Sequence, residues 1–239
     1  MHRAAYHAMG MAHTYEAVRT AAPELAEWIA KLRRGEIEGL NVTVPHKHAA
    51  RELADESDPV SRASDAANVL VRKGDRVIAF NTDVPALVAE LRDVRDERGG
   101  TAIVLGSGGA ARAAVLALEQ LGASRIIVRA RRNGDELLAP RGTERDARWI
   151  VQATSAGMTG ADPGEEVARA VRFELAPNAL ALDVIYEPRE TPFLALARHA
   201  GLRTKNGLGM LARQGALAFE LWLGVAAPLD VMRASLDAT

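Results

Sequence analysis

The stretch 101-TAIVLGSGGAARAAVLALEQLGA-123 decides the fold. Four apolar residues, Ala102 to Leu105, run into Gly106, Gly108 and Gly109, and a helical pattern follows from Ala110 to Leu121. The order strand, tight glycine turn, helix exposes backbone N–H groups at a helix N-terminus, where a phosphate can sit. Gly106 can take the turn geometry, and the missing side chains at Gly108 and Gly109 allow close approach. The spacing is GxGGxA, a variant of the usual GxGxxG. An ordinary tight turn and a nucleotide site both fit it.

Downstream the α/β pattern continues. Arg125–Val128, Trp149–Ala153, Leu180–Ile185 and Leu202–Lys205 read as strands. Thr191–His199 reads as a helix that Gly201 stops, and 207-GLGMLARQGALAFELWLG-224 as a long amphipathic helix. A last helix spans Leu229–Leu236. From Arg129 to Arg148 apolar periodicity is weak, so this side of the sheet is expected to be abbreviated. Upstream, a charged run from Arg92 to Arg98 ends in Gly99-Gly100 and marks a domain boundary. Before it come a short helix over residues 2–9, a strand at Tyr15–Val18, a helix over residues 24–34 and a strand at Leu40–Val44 that Pro45 ends. A helix near His46, another near Pro59, a hairpin of Asn68–Arg72 and Arg76–Phe80, and a helix over Val84–Leu91 complete this half. The expected fold is α/β with two domains, residues 1–95 completed by 208–239, and a nucleotide-binding layer over residues 96–207.

Composition bounds the function. The chain has 239 residues, 48% apolar and 26% charged, which suits one or two globular domains. A net charge of -1 gives no electrostatic case for nucleic acid. With no cysteine, thiolate metal sites and cysteine nucleophiles are excluded. No apolar run reaches the roughly 18 residues a membrane span needs. No signal segment is visible in residues 1–20, so a cytoplasmic protein without a membrane partner is expected. His46 and His48 have the wrong spacing for a helical metal pair, and no metal is expected.

Four constellations could carry chemistry. Lys47 follows Asn41 and Thr43 just past a strand end, where an ammonium could stabilise an oxygen gaining negative charge; a surface lysine after a proline turn is the plain alternative. Asn81-Thr82-Asp83 reads first as a helix cap. Thr154-Ser155-Ala156-Gly157-Met158 is a small polar loop after a strand of the nucleotide layer, and Gln214 lies on the helix after Gly207.

Taken in order, these stretches resemble the shikimate dehydrogenase family. Asn41-Val42-Thr43-Val44-Pro45-His46-Lys47 resembles its NVT.P.K stretch, Asn81-Thr82-Asp83 its NTD, and Gly106-Ser107-Gly108-Gly109-Ala110 its GAGGA nucleotide loop. Asp183-Val184-Ile185-Tyr186 with Pro188 and Thr191-Pro192-Phe193-Leu194, and then Gly207 through Trp222, resemble its two C-terminal segments. The resemblance implies a substrate domain, a Rossmann-like NADP-binding domain, C-terminal helices returning to the first domain, and a cleft between the domains. It implies reduction of 3-dehydroshikimate to shikimate or a similar hydroxy acid. Lys47 and Asp83 would be the catalytic pair; Asn41, Thr43, Asn68 and Gln214 would bind substrate. Gly106, Ser107, Gly108, Gly109, Ala110, Arg129, Thr154 and Gly207 would bind NADP, with Arg129 on the 2′-phosphate. NADP is preferred over NAD because no acidic residue ends the second strand, where Arg129, Arg131 and Arg132 stand. A homodimer is among the assemblies open to it.

The chain also departs from the pattern. The family opens with a strand and a loop carrying two serines for the substrate carboxylate, and this chain starts at the final His of that motif, His2. It therefore reads as a truncated or divergent member. Asp65-Ala66-Ala67 precedes Asn68 where the family has G..NT, Gln152 replaces an Asn, and Ala86 replaces a frequent Gly. A catalytically weak or inactive paralogue, binding nucleotide or a partner, stays open beside the dehydrogenase.

Overall fold

A computed structural model describes residues 1–92, 99–130, 145–169 and 178–238. In chain order, α1 is His2–Ala8, α2 Leu25–Arg34, β1 Gly39–Asn41, α3 Lys47–Leu53, β2 Glu56–Ser57, α4 Pro59–Ser64, β3 Val69–Lys73, β4 Arg76–Phe80 and α5 Asp83–Leu91. There follow β5 Thr101–Leu105, α6 Gly109–Gln120, β6 Arg125–Arg129, β7 Ala147–Gln152, α7 Glu165–Arg169, β8 Leu180–Asp183, α8 Pro192–His199, β9 Arg203–Lys205, α9 Leu208–Leu223 and α10 Leu229–Asp237. The chain forms two compact units, Met1–Asp83 with Ala212–Thr239, and Val84–Leu211. It passes from one to the other inside α5 and again inside α9.

In the first unit the sheet order is β1-β3-β4-β2. β3 and β4 form the expected hairpin, antiparallel, with Val69 opposite Phe80 and Lys73 opposite Arg76. Alternation along β3 feeds two cores. Leu70 joins Leu25, Ile29 and Leu32 of α2, whereas Val69 and Val71 pack with Ala218, Leu221 and Trp222 of α9. Helices thus cover both faces of this sheet. A third cluster ties α1 to α9 and α10 through Ala5, Tyr6, Phe219 and Met232.

Two expectations fail here. Tyr15–Val18 forms no strand; residues 11–21 carry no regular element. The strand expected over Leu40–Val44 is cut to Gly39–Asn41, which pairs only with β3 among the described residues. An apolar run becomes a strand only where a neighbour takes its N–H and C=O groups. Val44 is left 74% exposed, with no core to hold it in line. Gly39 has a clear reason to be glycine: a Cβ there would lie 2.2 Å from Trp222 Nε1. That indole crosses the edge strand and donates to the Leu70 carbonyl at 3.2 Å.

In the second unit five parallel strands run in the order β6-β5-β7-β8-β9. Ile103, Leu105 and Ile150 of the strands meet Phe193, Leu194 and Ala197 of α8 in one core. This is a Rossmann-like layer: β5 leads to β6 on one side, and the chain then returns to the other side of β5 as β7. The weakly patterned residues 131–144, with Arg131 and Arg132, lie outside the described residues, as do most of the charged run at 93–98. No described helix is long and apolar enough to cross a membrane.

Candidate active site

The first unit assembles a polar network around one carboxylate. Lys47 opens α3 because Pro45 and His46 turn the chain there, and Asp83 opens α5. Lys47 Nζ donates to Asp83 Oδ2 at 2.7 Å. The carboxylate side chain is 8% exposed and the lysine 20%, so the lysine is the more open member of the pair. Asp83 Oδ1 accepts from Asn68 Nδ2 at 3.1 Å. Asn68 stands just before β3 and is pinned on both sides. Its backbone N–H donates to Phe80 O at 3.1 Å, and its carbonyl accepts from Val42 N–H at 2.8 Å. Its Nδ2 also faces Thr82 Oγ1 at 2.9 Å and Gln214 Oε1 at 3.3 Å, and its Oδ1 accepts from Thr82 N–H at 2.8 Å. Thr82 Oγ1 in turn donates to the Gln214 carbonyl at 3.0 Å.

Lys47, Asn68, Asp83 and Gln214 are therefore brought together. The ammonium has three hydrogens, and the Asp83 contact uses one. Two can face an oxygen that gains negative charge, with the buried carboxylate fixing the lysine's direction. Asn41 and Thr43 are placed otherwise. Asn41 Nδ2 donates to Tyr15 OH at 2.9 Å and lies 3.3 Å from His2 Nε2. Thr43 is exposed, and its carbonyl accepts from His46 N–H at 2.9 Å. His2 stacks on Tyr15 with ring centroids 4.4 Å apart, and burial pushes its imidazole down to about 4. Thr82 and Asn81 bear on the site more than their reading as a simple cap implied; the NTD stretch was the signal for both.

In the second unit, the expected nucleotide residues lie at the C-terminal ends of parallel strands, where ligands of such sheets bind. Gly106 follows β5 at φ +117°, a conformation that favours glycine, and a Cβ there would lie 2.8 Å from Ala153 O after β7. The turn thus sits between β5 and β7, where the strand order reverses. Ser107, Gly108 and Gly109 are exposed, and a Cβ at either Gly108 or Gly109 would meet nothing within 4 Å. Ala110 continues into α6, whose first-turn N–H groups lie just beyond this open space. These residues fit a dinucleotide phosphate. Thr154 is held by Gln152: its N–H donates to Gln152 Oε1 at 2.5 Å, and Gln152 Nε2 donates to Ala156 O at 2.9 Å. Gln152 thereby shapes the loop in which it replaces the family's Asn. Gly207 is glycine for a packing reason, since a Cβ would lie 2.1 Å from Val184 O. Arg129 ends β6 beside the turn, and its carbonyl accepts from Gly106 N–H at 2.7 Å. Arg129 is 1% exposed.

Residues 1–70 match the shikimate dehydrogenase substrate binding domain, and residues 207–236 the shikimate 5′-dehydrogenase C-terminal domain. The NADP(+) shikimate dehydrogenase of Symbiobacterium thermophilum is 38% identical over 98% of this chain and 86% of its own length. The chain belongs to the shikimate dehydrogenase family.

Among solved structures, shikimate 5-dehydrogenase from Thermus thermophilus, in complex with NADP(H) and shikimate, shares 32% identity. It superposes with a TM-score of 0.85, covering 99% of this chain and 92% of that one. The Aquifex aeolicus shikimate dehydrogenase gives a TM-score of 0.86 at 26% identity, covering 98% and 90%. Membership in the shikimate dehydrogenase family carries shikimate-dehydrogenase-like catalysis in general, NADP(H) as the cofactor class and a small-molecule substrate. It also sharpens one departure. Asp65, where the family pattern has Gly, sits at φ +53° as the C-cap of α4. Its carboxylate is held by Arg51 at 2.8 Å and His48 at 3.1 Å.

Proposed function

We propose that the protein reduces 3-dehydroshikimate to shikimate with NADPH. The observation that carries this reading is the joining of Lys47, Asp83, Asn68 and Gln214 into one hydrogen-bonded set. NADPH, when bound, supplies the hydride. Ser107, Gly108, Gly109 and the first turn of α6 would hold its pyrophosphate, with Ala110, Thr154 and Gly207 lining the site. Arg129 would take the 2′-phosphate. Lys47 directs its ammonium at the ketone oxygen, which becomes more basic as the carbonyl carbon takes the hydride and then takes a proton from that ammonium to become the hydroxyl, solvent returning the proton to the lysine. Asp83 holds Lys47 in place and accepts from a neighbouring ring hydroxyl, and Gln214 and Asn68 orient the ring.

The test is NADPH oxidation followed at 340 nm with 3-dehydroshikimate, with 3-dehydroquinate and NADH as competitors. Turnover preferring 3-dehydroshikimate and NADPH is expected, and Arg129→Ala should raise KM for NADPH about tenfold or more while sparing NADH. A preference for NADH, or equal use of both ring acids, would contradict it. The turning of Asn41 toward Tyr15 and His2 favours a second reading, a paralogue that binds NADP but turns over weakly. It is distinguished by tight NADPH binding with negligible turnover.

A further inference from the structure

Asp83 is held by more than its carboxylate. Its backbone N–H donates to Asn81 Oδ1 at 3.0 Å, so Asn81 fixes the first turn of α5. Asn81 Nδ2 donates to Ser64 Oγ at 2.9 Å and to Ala66 O at 3.1 Å. Ser64 is fully buried at the end of α4, and its Oγ lies 2.8 Å from the Val60 carbonyl, the shortest of the contacts through which it can donate. Its hydroxyl thus gives its hydrogen to the helix and turns a lone pair to Asn81. The same short segment also reaches Lys47, since Ala67 N–H donates to the Lys47 carbonyl at 2.8 Å. Residues 64–68 therefore touch both ends of the Lys47–Asp83 pair. Ser64 is in no motif, and its Oγ also lies 3.2 Å from the Ala66 carbonyl and 3.3 Å from that of Ser61.

We propose that Ser64 is a positioning residue for the Lys47–Asp83 pair, acting through Asn81. The proposal rests on the dehydrogenase reading and adds to it a residue that touches no substrate. Without the Ser64 hydroxyl, Asn81 Nδ2 loses one of its buried acceptors, which loosens the hold on the amide that faces the Asp83 N–H. Ser61 supplies a matched control. It is equally buried on the same helix, and its Oγ donates at 3.0 Å to Ala66 O, the carbonyl that Asn81 also uses, so its loss leaves Asn81 both of its acceptors.

The experiment compares steady-state kinetics of the full chain with Ser64→Ala, Ser64→Thr and Ser61→Ala, using NADPH and 3-dehydroshikimate, with thermal melting run alongside. Ser64→Ala is expected to lower kcat about tenfold with both KM values within about threefold, because reacting groups displaced by a fraction of an ångström lose rate before binding. Ser64→Thr, which keeps the hydroxyl, should recover most of kcat. Ser61→Ala should melt earlier with kcat unchanged. If Ser64→Ala does not fold, the same comparison is made with Ser64→Cys, whose thiol is a weak acceptor, and an intermediate kcat is expected. A kcat for Ser64→Ala or Ser64→Cys within twofold of wild type, equal kcat losses at Ser61 and Ser64, or a loss confined to KM would overturn the proposal while leaving the dehydrogenase reading standing. Absence of turnover in the folded wild type would instead overturn both.

Discussion

His2 lies between Tyr15 and Trp222, with ring centroids 4.4 and 5.3 Å away, and is 3% exposed. Burial pushes it from 6.5 down to about 4. Between those values the unfolded chain binds a proton that the folded chain refuses, so this contribution is present above pH 6.5 and is lost as pH falls toward 4. Asp183 does the reverse. Burial raises its carboxyl from 3.8 to about 6, against hydrogen bonds from Thr191 Oγ1 at 2.6 Å and Ile185 N–H at 2.9 Å. Its contribution is present below pH 3.8 and is lost as pH rises through 6. Each is worth on the order of 3 kcal/mol across its window. Urea unfolding from pH 4 to 7 separates them. His2→Phe should leave stability falling as pH rises, and Asp183→Asn should leave it rising. An unchanged slope in either variant would show that the group titrates at its ordinary value.

At the scale of elements, the β5–turn–α6 unit was legible because every local signal agrees: an apolar run, a left-handed glycine and a helical period. Its glycines divide by role. Gly106→Ala should destabilise the protein by about 1–3 kcal/mol, since φ +117° and the Ala153 carbonyl both oppose a Cβ. Gly108→Ala should change stability by less than about 0.5 kcal/mol, because its Cβ meets only open space. Both should weaken NADPH binding, measured by titration of NADPH fluorescence. Unchanged NADPH affinity in Gly108→Ala would remove the turn from the cofactor site. Strands whose existence depends on a partner were less legible. Tyr15–Val18 carries a strand pattern yet joins no sheet among the described residues, whereas the two-residue β2 forms without a pattern because β4 offers a parallel edge. β1 lies at the sheet edge, so amides of Gly39–Asn41 should exchange at least about tenfold faster than those of Val69–Val71. Equal protection would mean that another strand covers that edge.

At the scale of the molecule, the site is assembled from residues far apart in sequence. Asn68 and Gln214 are separated by 146 positions and meet because α9 lies over the sheet that Asn68 enters. No periodicity in the chain predicts that meeting; only the ordered motifs, read through the family resemblance, did so. Ser64 was illegible because a helical serine looks the same whether it faces solvent or an asparagine. The burial of Arg129 was hidden because a strand-end arginine beside a glycine turn reads as a phosphate ligand by charge alone. In the proposed mechanism Lys47, held by Asp83, supplies the charge that the reduction needs. It is tested most directly by NADPH oxidation with 3-dehydroshikimate by the wild-type chain and Lys47→Ala, with NADPH affinity measured separately by fluorescence. Turnover by the wild type, a kcat lower by about 100-fold or more in Lys47→Ala, and equal NADPH affinity in both are expected. Turnover that survives Lys47→Ala, or a folded wild type that binds NADPH and leaves 3-dehydroshikimate unreduced, would contradict it.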